Sequence, residues 1–180
     1  DGGACQRELV VNQLPNSSMS EMGDTKLEIA SATASASQSG EGIEYTYDGD
    51  NSTLWHSPYS KGGFPFTLTY TLKKASHVDY LVYTPRSGND NGNFGEVKVE
   101  YALATNPTFF HEATTVDLGF SSSASTINFG SEGVDNVQKV RITVKTGKND
   151  FASCAEMTFF QKNQSANMEM AQYFTNDLCY

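Results

Sequence analysis

The chain has 180 residues, of which 38% are hydrophobic and 12% aromatic, a length and composition that suit one globular domain with a short remainder. Twelve Lys and Arg against 21 Asp and Glu give a formal net charge of −9. This balance argues against a nucleic-acid partner, because phosphate binding needs clustered cations. No apolar run approaches the length of a transmembrane span, so we also expect no membrane insertion.

The two ends of the chain differ in composition from the middle. Residues 1–24 are polar around one short apolar stretch, which predicts a linker or a single peripheral strand. Residues 163–180 predict a short helix, or a connector that begins a following domain. The intervening residues 25–162 are predicted to form one domain.

The three cysteines give little information on compartment. Cys5, Cys154 and Cys179 are odd in number and lack the spacing of zinc ligands, so they predict neither a disulfide framework nor a metal site. Cys154 is expected to be a small buried core residue. The other two cysteines lie in the terminal segments and are expected to be free thiols.

Hydrophobic alternation in the middle of the chain predicts several short strands. The domain opens at Lys26–Ile29, and Ser31–Glu41 is predicted to be a loop of small residues. The predicted strands are Phe66–Leu72, Val78–Tyr83, Glu96–Leu103, Thr114–Leu118, Thr126–Phe129, Val140–Lys145 and Met157–Phe160. Seven or eight strands separated by turn signals, with no long helix before Asn163, predict an all-β antiparallel sandwich.

The densest set of chemical groups lies between Tyr45 and Tyr59. Asp48-Gly-Asp50 predicts a turn, because Gly supplies a positive φ and Asp side chains bond to their own backbone. With Thr53 close behind, the loop offers oxygen ligands that suit calcium, although the twelve-residue pattern of an EF-hand is absent. An acidic solvated turn explains Asp-Gly-Asp alone better than an ion site does.

Three separated motifs change that interpretation. They are Asp48-Gly-Asp-x-x-Thr53-x-Trp55-His56-Ser57-x-Tyr59, then Tyr83-Thr-Pro85-Arg86 followed by Asn91-Gly92, and finally Phe151-Ala-Ser-Cys-Ala155-Glu156. Together they resemble the discoidin, or coagulation-factor (F5/8) type C, family, and within it the carbohydrate-binding modules of family 32 of gut bacteria. The resemblance covers about residues 25 to 162. It implies an eight-stranded antiparallel jelly roll of the galactose-binding-domain type.

The resemblance also implies a sugar site. Its ligand-binding residues would be His56, Tyr59, Arg86, Asn91 and Phe151, with an acidic contact from Glu41 or Glu44. Of these two, Glu41 is preferred because it sits at a Gly-rich loop tip, and Tyr59 stands where many relatives have Trp. Aromatic faces suit the C–H side of a sugar ring, while His, Arg and Asn form hydrogen bonds of fixed direction.

Each of these residues also has an ordinary structural explanation. His56 could be a satisfied core histidine, and Arg86 could pair with a surface carboxylate such as Asp90. Asn91-Gly92 could be a hairpin turn, and the aromatic rings could serve packing. The presence of all five residues together favours the site.

A structural calcium ion is implied in the same way. Its ligands would be the carbonyl of Tyr45 together with Asp48, Asp50, Thr53, Ala155 and Glu156. Because Glu156 is far from the loop in sequence, the ion would join two distant segments and reduce loop entropy. Trp55 is assigned to the core behind the loop.

The resemblance implies a non-catalytic carbohydrate-binding module, in which no residue is expected to be catalytic. It would recognise glycans that end in galactose-type sugars (galactose, N-acetylgalactosamine) and target a larger secreted or cell-surface bacterial protein to them. The chain would thus be covalently linked to further domains. The alternatives are a protein- or lipid-binding adhesion domain, hinted at by the Gly62-Gly-Phe64 loop tip, and a spacer domain of a glycosidase or metallopeptidase. Against an enzyme, the sequence lacks metalloprotease, nucleophile-elbow, Walker and dinucleotide motifs.

Overall fold

The computed structural model describes residues 23–163, in which Lys26–Gln161 form one compact unit. The strands are β1 (Thr25–Lys26), β2 (Ile29–Ala34), β3 (Trp55–His56), β4 (Phe66–Val78), β5 (Tyr80–Thr84), β6 (Glu96–Leu103), β7 (His111–Asp117), β8 (Ser125–Asn128), β9 (Val134–Val144), β10 (Ser153–Cys154) and β11 (Glu156–Gln161). Two short 3-10 helices, η1 (Ile43–Tyr47) and η2 (Lys148–Asp150), lie in the connections. In the part of the chain that the structure covers, no helix is long and apolar enough to cross a membrane.

The strands form two main sheets and one small ribbon. The five-stranded sheet has the order β2-β4-β9-β6-β7, and the four-stranded sheet has the order β1-β11-β5-β8. Strands β3 and β10 pair only with each other. The neighbours β2–β4, β4–β9, β6–β9, β6–β7, β5–β11 and β5–β8 are all antiparallel. The predicted all-β antiparallel architecture is therefore confirmed.

Alternating residues of the long strands form the core between the sheets. In the first half of β4 the buried side chains are Phe66, Leu68, Tyr70 and Leu72, and the residues between them are less buried. This is the two-residue period expected of a strand with one buried face. Trp55 is fully buried, and its indole N–H lies 2.9 Å from the Ser37 hydroxyl. The predicted core roles of Trp55 and Cys154 are both confirmed.

Three features of the fold differ from the sequence prediction. The predicted loop Ser31–Glu41 is wrong over its first part, because β2 continues through Ala34 and pairs with β4. Strand β4 continues beyond Leu72 to Val78, with register shifts against β9 that accommodate the polar segment. The strands β1, β3 and β10, of two residues each, raise the number of strands within residues 23–163 to eleven.

The predicted domain limits, 25 and 162, each differ by one residue from the limits of the compact unit. The predictions for residues 1–22 and 164–180, including Cys5 and Cys179, lie outside the described residues.

Candidate functional site

The three sequence motifs meet in one cluster of loops. The β3–β10 ribbon pairs His56 of the first motif with Ser153 of the third. The Ser153 hydroxyl donates to the Asn91 carbonyl at 2.7 Å, and its backbone N–H donates to the Gly92 carbonyl at 2.9 Å. Side chains that are up to about a hundred positions apart in sequence are therefore held together by backbone pairing.

His56 lies at the centre of a row of rings. Its imidazole is 4.9 Å from the Tyr59 ring and 5.2 Å from the Phe151 ring, measured between centroids. The side chain is buried, and Nδ1 lies 2.6 Å from the Ser57 carbonyl oxygen. Because a carbonyl can only accept, Nδ1 carries the proton. In the neutral imidazole, Nε2 then presents a lone pair and acts as an acceptor.

Tyr59 is the exposed member of this row, with 58% of its surface accessible. Its hydroxyl donates to the Glu41 carboxylate, and its backbone N–H donates to the Gln38 side-chain carbonyl at 2.8 Å. The hydrogen bond to Glu41, together with partial burial, raises the pKa of Tyr59, while the nearby charge of Arg86 opposes the shift. Of the two acidic residues considered, Glu41 therefore lies beside the predicted site, whereas Glu44 folds back over its own loop.

Arg86 has a buried group with no partner. Its Nε is inaccessible and forms no hydrogen bond within residues 23–163. The alternative partner Asp90 instead pairs with Lys148, at 3.8 Å, so the explanation of Arg86 as half of an Arg86–Asp90 ion pair is wrong. An unsatisfied buried donor costs about 1–3 kcal/mol. The residue as a whole is only half-buried, so the other N–H groups of its guanidinium are the ones that a ligand could reach.

The Asn91 side chain is oriented by a residue that the sequence analysis missed. Asn149 donates from Nδ2 to the Asn91 Oδ1 at 2.6 Å. This bond uses one of the two lone pairs of that oxygen and leaves the Asn91 N–H groups to donate. Asn149 adopts a left-handed φ of 58°. The loop that carries Asn149 is held in place because the Lys148 backbone N–H donates to the Asn93 carbonyl at 2.9 Å. The Gly-Lys-Asn-Asp sequence at 147–150 is a turn signal that predicts a loop here. It does not predict that Asn149 contacts Asn91.

These orientations define what the site can bind. His56 supplies one acceptor, while Arg86 and Asn91 supply donors. A hydroxyl group donates one hydrogen bond and accepts two, so donors and an acceptor of this kind suit alcohol oxygens. The rings of Tyr59 and Phe151 both pack against His56 and add apolar surface, which is the combination that a polyhydroxylated ligand requires.

Two glycines of the Arg86–Asn91 loop provide a matched test of this packing. Gly88 and Gly92 both have a φ of 91°, so Ala at either position is expected to cost roughly 1–2 kcal/mol in backbone conformation. A Cβ on Gly88 would meet nothing within 4 Å, whereas one on Gly92 would lie 2.6 Å from the Ser153 nitrogen. That overlap adds a further cost, of about 1–3 kcal/mol for overpacking.

We therefore expect Gly92→Ala to lower the free energy of unfolding more than Gly88→Ala does. Denaturant titration of the two variants measures the difference. Equal losses would mean that the Asn91 loop is not packed against β10 as described.

The predicted ion loop gathers several oxygen atoms around one hydroxyl. The Thr53 Oγ1 lies 2.5 Å from Asp48 Oδ2, 3.0 Å from the Asp50 carbonyl oxygen and 3.5 Å from the Tyr45 carbonyl oxygen. All are hard oxygen donors of the kind that calcium prefers. Ala155 is buried, with its N–H bonded to the Thr84 carbonyl at 2.9 Å, and its role as a ligand stays a prediction.

Glu156 approaches the same loop from β11. Its Oε1 accepts from the Gly49 N–H at 3.1 Å. Burial, followed by the hydrogen bond and the like charge of Asp48, raises the pKa of Glu156 to about 7. Burial also acts to raise the pKa of Asp48, but hydrogen bonds from Thr53 and the Asp50 N–H outweigh it and lower that pKa. Two carboxylates facing each other in this way share a proton or a cation.

The structure adds detail to the predicted ion site. The carboxylate that faces Asp48 is that of Glu156. The Asp50 Oδ1 accepts from the Ser52 N–H at 2.8 Å and from its hydroxyl at 2.6 Å, while the Asp50 carbonyl oxygen lies 3.0 Å from Thr53 Oγ1. Within the described residues, no three His, Cys, Asp or Glu side chains are placed to hold a metal. Carbonyl and hydroxyl oxygens would have to complete the site.

Comparison with known proteins gives both a family and a fold. A sequence model of the F5/8 type C domain matches residues 31–157. The family 32 carbohydrate-binding module of NanJ from Clostridium perfringens, solved in complex with galactose, has a TM-score of 0.69 at 22% identity, over 77% of this chain and 99% of that chain.

Two further modules of the same organism are similar. CpGH89CBM32-5, in complex with GalNAc-β-1,3-galactose, has a TM-score of 0.68 at 23% identity, over 76% of this chain and 100% of that chain. CBM32-3 from a family 31 glycoside hydrolase has a TM-score of 0.64 at 29% identity, over 76% of this chain and 92% of that chain. These likenesses confirm the predicted jelly-roll sandwich. Because the family model spans well over half of the sequence, the chain belongs to the F5/8 type C domain family.

Proposed function

We propose that this chain is a non-catalytic carbohydrate-binding module that recognises terminal galactose-type sugars. F5/8 type C domains are typically non-catalytic binding modules. The observation that carries the proposal is that backbone pairing brings the three motifs together, with His56 next to the Tyr59 and Phe151 rings and Ser153 bonded to Asn91. The charge of Arg86 acts on Tyr59 in the same cluster. A sugar would bind across this cluster through its hydroxyls and its C–H face.

The proposal of a galactose-type sugar rests on the shape of that contact. An axial O4 projects from one side of the ring and leaves the other side rich in C–H groups. O4 can therefore enter the polar group while the C–H side lies against Tyr59 or Phe151. Two of the similar modules were solved with galactose or a GalNAc-containing disaccharide, which supports the same assignment here.

A structural calcium ion is part of the proposal. The oxygens of Tyr45, Asp48, Asp50, Thr53 and Glu156 fit a hard cation. The ion would neutralise the facing Asp48 and Glu156 carboxylates and would join the loop to β11. Its role would be structural, since it would hold the loop that leads into Trp55-His56.

We also propose that the module acts as part of a larger secreted or cell-surface bacterial protein. One shallow site for one sugar gives weak affinity, so retention on a glycan surface needs repeated modules or a tethered partner. Several similar structures are modules of larger proteins. Phe64, which motivated the adhesion-domain alternative, is half-buried, and its ring centroid lies 4.9 Å from that of Phe66, which favours the carbohydrate-binding function over that alternative.

The test is a titration of four monosaccharides by NMR or calorimetry. Galactose and N-acetylgalactosamine are expected to bind with a Kd of about 0.1–10 mM, and glucose and mannose, whose O4 is equatorial, more weakly. An equal or stronger response to glucose would contradict the axial-hydroxyl argument. Shift changes confined to loops away from His56 and Arg86 would contradict the site.

A further inference from the structure

An exposed aromatic side chain lies beside the proposed sugar site without belonging to any of the three motifs. Phe120 is 39% exposed and has a left-handed φ of 60°. Its N–H donates to the Phe94 carbonyl at 3.0 Å. The ring lies over Gly95, where an added Cβ would come within 2.6 Å of the Phe120 Cε1 atom.

The loop that carries Phe120 is fastened to the loop that carries Asn91. Asn93 donates from its side chain to the Ser122 hydroxyl at 3.2 Å, and the Leu118 N–H donates to the Gly95 carbonyl at 2.8 Å. Phe120 is therefore held at a fixed position next to residues 91–95. Its left-handed backbone conformation is one that residues other than Gly, Asn and Asp rarely adopt.

Lys148 connects this ring to the site. Its ammonium lies 6.0 Å from the centroid of the Phe120 ring and 3.8 Å from the Asp90 carboxylate. The next residue, Asn149, holds the Asn91 side chain at 2.6 Å. A continuous row of contacts thus runs from the Asn91 amide, through residues 148–149, to the face of Phe120.

This row repeats the chemistry of the first site. Phe120 offers an aromatic face, Lys148 a donor, and Asp90 an acceptor. The Lys148 and Asp90 side chains are 41% and 48% exposed, so both can reach a ligand from solvent. We propose that these three residues form a second subsite, which takes the sugar unit next to the terminal one in a neutral oligosaccharide. This inference rests on the proposed function, since the terminal sugar fixes where the next unit lies.

The experiment compares each disaccharide with the monosaccharide of its own terminal unit by NMR titration of the intact chain: GalNAc-β-1,3-galactose with N-acetylgalactosamine, and lactose with galactose. At least one disaccharide is expected to bind about five- to tenfold more tightly than its monosaccharide, since an aromatic contact contributes that much. Phe120→Ala should reduce its affinity to that of the monosaccharide and leave monosaccharide binding unchanged. Phe120→Trp should preserve the gain, and Phe120→Leu, which keeps the packing on Gly95 without the aromatic face, should lose it.

Phe109 provides a matched control, because it is 56% exposed and lies outside both subsites. Phe109→Ala is expected to change neither affinity. If the monosaccharides bind but neither disaccharide binds more tightly than its own monosaccharide, or if the gain survives in both Phe120→Ala and Phe120→Leu, the second subsite is wrong and the first one stands. If the wild-type chain binds no sugar at all, the proposed function itself is wrong and the subsite falls with it.

Discussion

Replacing Arg86 with Ala is expected to erase measurable sugar binding. A hydrogen bond to a charged group contributes about 1.5–3 kcal/mol, so a millimolar Kd would rise roughly ten- to hundredfold. NMR titration with galactose measures the loss. The same change is expected to leave the melting temperature unchanged or to raise it, because the Nε of Arg86 has no partner among residues 23–163.

Arg141 is the matched control for that variant. Its Nε donates to Glu100 at 3.0 Å, and its guanidinium carbon lies 3.9 Å from the Phe110 ring centroid. Arg141→Ala should therefore lower stability and leave sugar binding intact. If Arg86→Ala destabilised the fold as much as Arg141→Ala and kept its affinity for galactose, Arg86 would be a structural residue.

The long strands could be predicted because their side chains alternate sharply between apolar and polar. β2 could not, since its Ser, Ala and Thr residues offer little hydrophobic contrast. Its conformation is set by pairing with β4. The β3–β10 ribbon depends on contact between segments about a hundred positions apart, which no local pattern encodes.

The candidate site also combines features that the local sequence predicts with features that depend on contacts between distant segments. The motifs identified Tyr59 and Asn91 by type and spacing, but they did not identify the residues that orient them. The Gln38 side-chain oxygen accepts from the Tyr59 backbone N–H, and the Asn149 amide donates to the Asn91 side-chain oxygen. Such contacts depend on the conformation of the loop. Several polar residue types could form them, so the residue type alone does not show which residue does.

Removal of calcium is expected to lower the melting temperature by about 10 °C at pH 8 and by much less at pH 5.5. A cation at a thousand times its Kd stabilises the native state by about 4 kcal/mol, which corresponds to a shift of that size in a domain of this length. Melting curves with calcium and with chelator, at both pH values, measure the effect.

The pH dependence follows from Glu156. Its pKa is raised from 4.5 to about 7 in the cation-free fold, first by burial and then by Asp48. Between these values the folded chain binds more protons than the unfolded chain, so cation-free stability falls as pH rises through this window. The full loss is at most about 3 kcal/mol, and solvent screening of this partly buried carboxylate reduces it. With calcium between the carboxylates, Glu156 stays ionised and the penalty disappears, so the stabilisation by calcium grows with pH.

Three variants separate the ion site from an acidic turn. Glu156→Gln should remove both the response to calcium and the loss of stability above pH 5.5, since it has no proton to release. Asp48→Asn should also abolish the calcium response, because Asp48 faces Glu156. Asp50→Asn is the matched control: the Asp50 carboxylate is turned to Ser52, so most of the response should remain. Equal effects of the Asp48 and Asp50 changes, or a melting curve that neither chelation nor Glu156→Gln moves, would mean that no cation is held between Asp48 and Glu156.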